Sequence, residues 1–246
     1  MAHLLTRPTG RRGLLLVALA VAVVGVALVA WALAHQESAP TPHSAGRIDV
    51  AAGPTGSSGG GSSKGGSQGG SQGGAAADNA PKPLGPSQPV RVRIPALGID
   101  SVVNPIGLDD TGALAVPQPG PHLNEAAWFE NSPTPGQPGP SIIEGHVDSV
   151  EGPSVFFKLG AIKPGDKVVV NRKDGSVVTF RVNAVRDFKK ASFPTFLVYG
   201  SNIAQPTLRL ITCSDFDTAI HHHVGNEVVF AHLVDVAHTH SQKGQS

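Results

Sequence analysis

From Pro89 onward the chain alternates apolar and polar positions in short blocks. Val90, Val92 and Ile94 share one parity and Arg91 and Arg93 the other, the period-2 pattern of a half-buried strand. Ile99 to Ile106 is a second apolar stretch, Ala113 to Val116 a short third, and Ser141-Ile142-Ile143 a brief fourth between Pro140 and Gly145. Lys167 to Asn171 and Val177 to Val185 flank Lys173-Asp174-Gly175, whose Asp-Gly pair signals a hairpin. Leu208 to Cys213 and Glu227 to Val236 complete the set. Helical signals are short, at Ser154 to Leu159 and Phe193 to Tyr199, and repeated prolines make Pro117 to Pro140 a loop-rich insert. Many strands with turn residues between them and little helix predict an all-β sheet or barrel.

Two different patterns precede this block. Gly13 to Ala34 is an uncharged apolar run of 22 positions, with Arg7, Arg11 and Arg12 before it. About 20 such residues span a bilayer core as a helix. The arginines predict that residues 1–12 stay in the cytoplasm and that the following chain lies outside it. A cleaved signal peptide is the alternative, because Ala32-Leu33-Ala34 has the small-x-small form of a cleavage site. The run is longer than the roughly 7–15 residues of such a peptide's apolar region, which favours a single-pass anchor over residues 13–34. Residues 35–88 read as a disordered linker rich in Gly, Ser and Pro, with an end-to-end distance on the order of 40 Å. One folded domain is expected over 89–236, and a flexible tail over 237–246.

Composition adds little beyond this. The 246 residues carry a formal net charge of +1, which gives no electrostatic case for a nucleic-acid partner. The cysteine count matters more. Cys213 is the single cysteine of a chain expected to be exported, so it has no intramolecular disulfide partner. It is a core filler, an intermolecular link or a reactive thiol. Its position at the end of an apolar strand, followed by Ser214-Asp215, favours an accessible thiol. A thiol nucleophile needs a neighbouring imidazole or guanidinium to lower its pKa, and an imidazole also protonates a leaving amine. His146 is the best placed imidazole. It follows Ile142, Ile143 and Gly145, just past another short strand, and Asp148 and Ser149 suggest a turn after it.

The segments Thr207-Leu208-Arg209-Leu210-Ile211-Thr212-Cys213 and Gly145-His146-Val147-Asp148-Ser149 resemble the cysteine and histidine motifs of the sortases. Gly152-Pro153, Phe156-Phe157-Lys158-Leu159 and Asn226-Glu227-Val228-Val229-Phe230-Ala231 fit as well, and the details look most like the actinobacterial branch called class F. The resemblance implies a closed, sortase-type eight-stranded β-barrel with one or two short helices, preceded by the transmembrane helix. It implies an anchored cysteine transpeptidase of a Gram-positive cell envelope. Cys213 would cleave an LPxTG-like C-terminal sorting signal of secreted proteins through an acyl-thioester, with His146 as proton donor and acceptor. An amine on a cell-wall precursor would resolve the thioester. A hydrolytic cysteine peptidase of the same fold and a catalytically weakened, envelope-tethered binding module are the alternatives.

One position departs from that pattern. Sortases usually carry an arginine downstream of the cysteine, and this chain has none after Cys213. Asn226 occupies that neighbourhood and is a candidate amide donor to an oxyanion. Arg209 lies four residues before Cys213, and positions i and i+4 of a strand share a face, so it is a candidate substrate or oxyanion stabiliser, with a structural role as the alternative. His221-His222-His223 reads as a solvated patch rather than a metal site, and Glu144 as a solvated carboxylate near His146. No cofactor or metal is expected.

Overall fold

The computed structural model describes residues 21–31, 39–41, 43–48, 81–149, 151–200 and 203–238. The chain divides into two compact units, residues 1–38 and 39–246. In the first, residues 21–31 are helical, with exposed apolar side chains such as Val21, Val26 and Leu28. The rest of the 13–34 run lies outside the described residues, as do residues 1–12 and the end of the tail from 239. Among the described residues, no helix is long and apolar enough to cross a membrane.

Eight strands of the second unit form a ring: β1 (Pro89–Ile94), β2 (Ile99–Ile106), β3 (Ala126–Phe129), β4 (Gly139–Glu144), β5 (Lys167–Arg172), β6 (Ser176–Lys189), β7 (Pro206–Asp217) and β8 (His222–His238). Around it the order is β6-β8-β7-β4-β3-β2-β1-β5, and β5 pairs back to β6. The barrel is therefore closed, which removes the free edges that an open sheet would expose. The β4–β7 and β2–β3 ladders are parallel, and the others are antiparallel.

Every strand of the ring sends side chains to one shared core, among them Ile94, Val103, Trp128, Ile143, Val170, Phe180, Leu210 and Val229. The alternate positions Ile142, Ala184, Ile211, Val228 and Phe230 form a second cluster on the outer face. The short helix Thr195–Tyr199 covers that cluster with its buried Val198. Strand β7 is thus buried on both faces, which is why the adjacent Leu210 and Ile211, on opposite faces, are both apolar.

Several sequence expectations change. Ala113 to Val116 is not a strand of the ring; Leu114 makes only an isolated bridge to Leu108. The Pro-rich insert instead contains β3, whose four residues are too few to show a period. Ser154 to Leu159 is not α-helical. Phe157 N–H and Leu159 N–H donate three residues back, to Ser154 and Phe156, and a 3-10 turn Leu159–Ala161 follows. Two stretches assigned to the linker lie against the barrel. Leu84 N–H donates to Gly136 O at 2.8 Å, and Ser87 N–H donates to Thr134 Oγ1 at 3.0 Å. Further upstream, Ala45–Gly46 pairs antiparallel with Val185 and Ala184 of β6. Arg186 secures it, donating to Ala45 O and Gly46 O, each at 2.7 Å.

Candidate active site

The site is made by a mismatch in strand length. The parallel ladder between β7 and β4 ends at the pair Ile211 and Glu144, but β7 runs on to Asp217. Beyond that pair, β7 keeps a neighbour on only one side, strand β8, and Cys213 stands directly opposite Asn226. Opposed residues on antiparallel strands put their side chains on the same face, about 5 Å apart. The sequence placed Cys213 at a strand end. It is the partner strand that ends, and the thiol is left half-buried beside the gap.

The chain leaving β4 brings His146 to this gap. Gly145 N–H donates to Ile211 O at 3.1 Å, and Thr212 Oγ1 donates to Gly145 O at 2.9 Å. Gly145 has no room for a side chain, because a Cβ there would lie 2.6 Å from Val155 Cγ1 and 3.0 Å from Phe156 Cδ2. These contacts fix the residue before His146 against the strand that carries Cys213. His146 Nε2 donates to Pro117 O at 2.9 Å, so the loop between β2 and β3 holds the imidazole, and in that tautomer Nδ1 is the accepting nitrogen.

Cys213, His146, Asn226, Glu144, Tyr199 and Lys190 line one groove of about 440 Å³. Lys190, in the 3-10 turn after β6, puts Nζ 3.6 Å from Cys213 Sγ. Burial pushes the Cys213 thiol up from its ordinary value, and Lys190 opposes that push. Glu144 is not the solvated carboxylate expected from the sequence. It is buried, its Oε1 has no hydrogen-bond partner among the described residues, and burial pushes it up to about 8. Where it ionises, its charge pushes the Cys213 thiol further up.

Arg209 is on the same face of β7 as Cys213, as alternation requires, but it does not reach this groove. Ile211 stands between them, and Arg209 lines a separate cavity of about 200 Å³ with Phe230, His232 and Ile48. Its guanidinium lies over the Phe230 ring at 4.5 Å, and Nη1 donates to Leu208 O at 3.2 Å. Burial lowers its pKa to about 10. Of the two readings of Arg209, substrate or oxyanion stabiliser and structural residue, this placement favours the structural one. In the histidine run, His223 Nε2 is 3.1 Å from Asp148 Oδ1, while His221 and His222 are exposed. Among the described residues, no group of His, Cys, Asp and Glu is arranged to hold a metal.

Lys190 is the groove residue that sequence reasoning missed. It lies 23 positions before Cys213, one of two adjacent lysines after a strand, and no periodicity sets it apart.

Residues 92–234, more than half of the chain, match the family model described as the sortase domain. Among solved structures the chain is similar to sortase A of Corynebacterium diphtheriae, with 20% identity, a TM-score of 0.47 and coverage of 61% of each chain. It is also similar to sortase A of Listeria monocytogenes, with 15% identity, a TM-score of 0.47 and coverage of 63% of this chain and 92% of that one. Sortase C-3 of Streptococcus pneumoniae gives 21% identity, a TM-score of 0.47, and coverage of 63% and 66%. The chain spans about three fifths of the length of the Corynebacterium protein. No curated protein matches the sequence. The sortases are a family of cysteine transpeptidases, and on its sortase domain, carried by a closed eight-stranded barrel, the chain belongs to that family.

Proposed function

We propose that the protein is a membrane-anchored transpeptidase that acts on an LPxTG-like sorting signal of secreted proteins, most like the class F branch. The observation that carries this reading is the shared groove, which Cys213, His146 and Asn226 line together, with Asn226 directly across the ladder from Cys213. The Cys213 thiol gives its proton to His146, and Sγ attacks the carbonyl carbon of the Thr–Gly-type bond. A C–S bond forms, and the oxyanion takes a hydrogen bond from the Asn226 amide. His146 gives a proton to the leaving amine as the C–N bond breaks, which leaves an acyl-thioester. An amine of a cell-wall precursor then attacks the thioester. The C–S bond breaks, the thiolate is released, and the proton lost by the amine returns to His146.

The N-terminal apolar run suits an anchor that keeps the barrel outside the cytoplasm. The exposed apolar side chains of helical residues 21–31 agree with a lipid setting.

The test is mass spectrometry of the full-length chain incubated with a sorting-signal peptide, with and without an amine acceptor. The expected result is an acyl adduct on Cys213 that an amine converts to ligated product. Cys213→Ala should lose both adduct and product. Peptide cleavage by that variant would end the reading. Release of free acid in the presence of excess amine would instead indicate the hydrolytic peptidase.

A further inference from the structure

We infer that Lys190 is a catalytic residue of this groove, whose ammonium holds the Cys213 thiolate in the place where no arginine is available. This rests on Cys213 being the nucleophile. Four observations carry it. Lys190 Nζ is the cationic atom in contact with the thiol, at 3.6 Å. Arg209 is directed into another cavity. Asn226, directly across from Cys213, is uncharged. Lys190 is also placed by the fold rather than by chance, since it occupies the 3-10 turn Lys190–Ser192. Behind that turn, Phe193 packs edge-on against Phe188 of β6 at 5.9 Å and tilted against Tyr199 at 6.1 Å.

The charged and titratable groups around the thiol act in opposite senses. Lys190 reaches it from the turn after β6. Glu144 stands at the end of β4, His146 in the loop after it, and Asp148 in the short hairpin that follows. Tyr199 lines the same groove from its helix. Burial disfavours the thiolate, and Glu144 and Asp148 disfavour it further, whereas Lys190 favours it by charge and by hydrogen bond. An opposite charge within about 4–6 Å lowers a pKa by roughly 1–3 units. Lys190 is exposed, so solvent screens part of its effect.

Lysine also suits the later step. A thiolate leaves the thioester when the amine attacks, and an ammonium at 3.6 Å stabilises that leaving group. The groove would then take an acyl donor through its neutral, hydrogen-bonding wall at Asn226 and stabilise the sulfur through its cationic wall at Lys190.

Cys213 is the only cysteine, so alkylation by iodoacetamide reports this one site. The rate is measured against pH for the full-length chain and for Lys190→Met, Lys190→Arg and Lys190→Glu. The midpoint should rise by about one pH unit in Lys190→Met, with about a tenfold slower rate at pH 7. Lys190→Glu should raise it further, and Lys190→Arg should keep it close to wild type. In the unmodified chain, 1 M KCl should raise the midpoint, because an exposed pair is screened. Midpoints equal in all four proteins and insensitive to salt would overturn the inference. Alkylation needs no sorting signal, so this failure is distinct from failure of the transpeptidase reading, which is judged by the acyl adduct alone.

Discussion

Strand β7 carries two residues on one face, four positions apart, with opposite fates. At Arg209 the strand is flanked on both sides, by Ile142 of β4 and Phe230 of β8. At Cys213 it is flanked by β8 alone. The first position is sealed and its cation is packed over an aromatic ring; the second is open to a groove with titratable walls. Alternation decides which face a side chain occupies. Where the neighbouring strand stops decides whether that face is core or active site.

The largest effect should come from the open end. His146→Ala is expected to lower ligation by about 10²–10⁴-fold, the usual range for a proton-transfer group. A steady-state assay with peptide and amine checks it. Near-wild-type rates would mean that the groove is not the seat of the chemistry.

An intermediate effect concerns the buried acid between the two ends. The folded-state pKa of Glu144, about 8, is above its ordinary value of 4.5, so the folded chain binds more protons between those limits. Its stabilising contribution is full below about 4.5 and is lost as pH rises through about 8. Glu227, pushed up to about 7, acts in the same sense. Unfolding free energy should fall from pH 5 to pH 8.5, and Glu144→Gln should reduce that fall by on the order of a few kcal/mol, read from denaturant melts at each pH. Parallel slopes for the two proteins would place Glu144 in water.

The smallest effect should come from the sealed end. Arg209→Met should leave ligation within about twofold, with equal or higher stability, since an apolar isostere removes the desolvation cost of a buried charge. A loss comparable to that of His146→Ala would restore Arg209 to the site and erase the contrast.

How much of this was legible follows from the same geometry. Cys213 and His146 were readable because each lies beside an apolar strand and belongs to a recognisable motif. The all-β class followed from period-2 blocks such as Val90 to Ile94. Strand β3 was not readable, because Ala126–Phe129 is apolar at every position and sits among prolines. The environment of Glu144 was hidden too. Its burial depends on the helix Thr195–Tyr199 and on Ile211, which are distant in sequence. Lys190 was missed and Arg209 was left open between two roles for one reason: a strand pattern gives a face but not the extent of the neighbouring ladders.

The clip at Ala45–Gly46 has a consequence for the polymer physics of the chain. Gly46 has φ of 79°, and a Cβ there would lie 1.9 Å from Asn183 O, so the contact requires glycine. With residues 45–46 and 84–88 both bound to the barrel, the stretch between them is a closed loop by topology, whatever its conformation. In a flexible loop, length enters stability only through the logarithm of loop size, and doubling it costs about 0.6 kcal/mol. The Gly/Ser-rich tract is free to grow or shrink by many residues with little penalty, as long as Gly46 is kept.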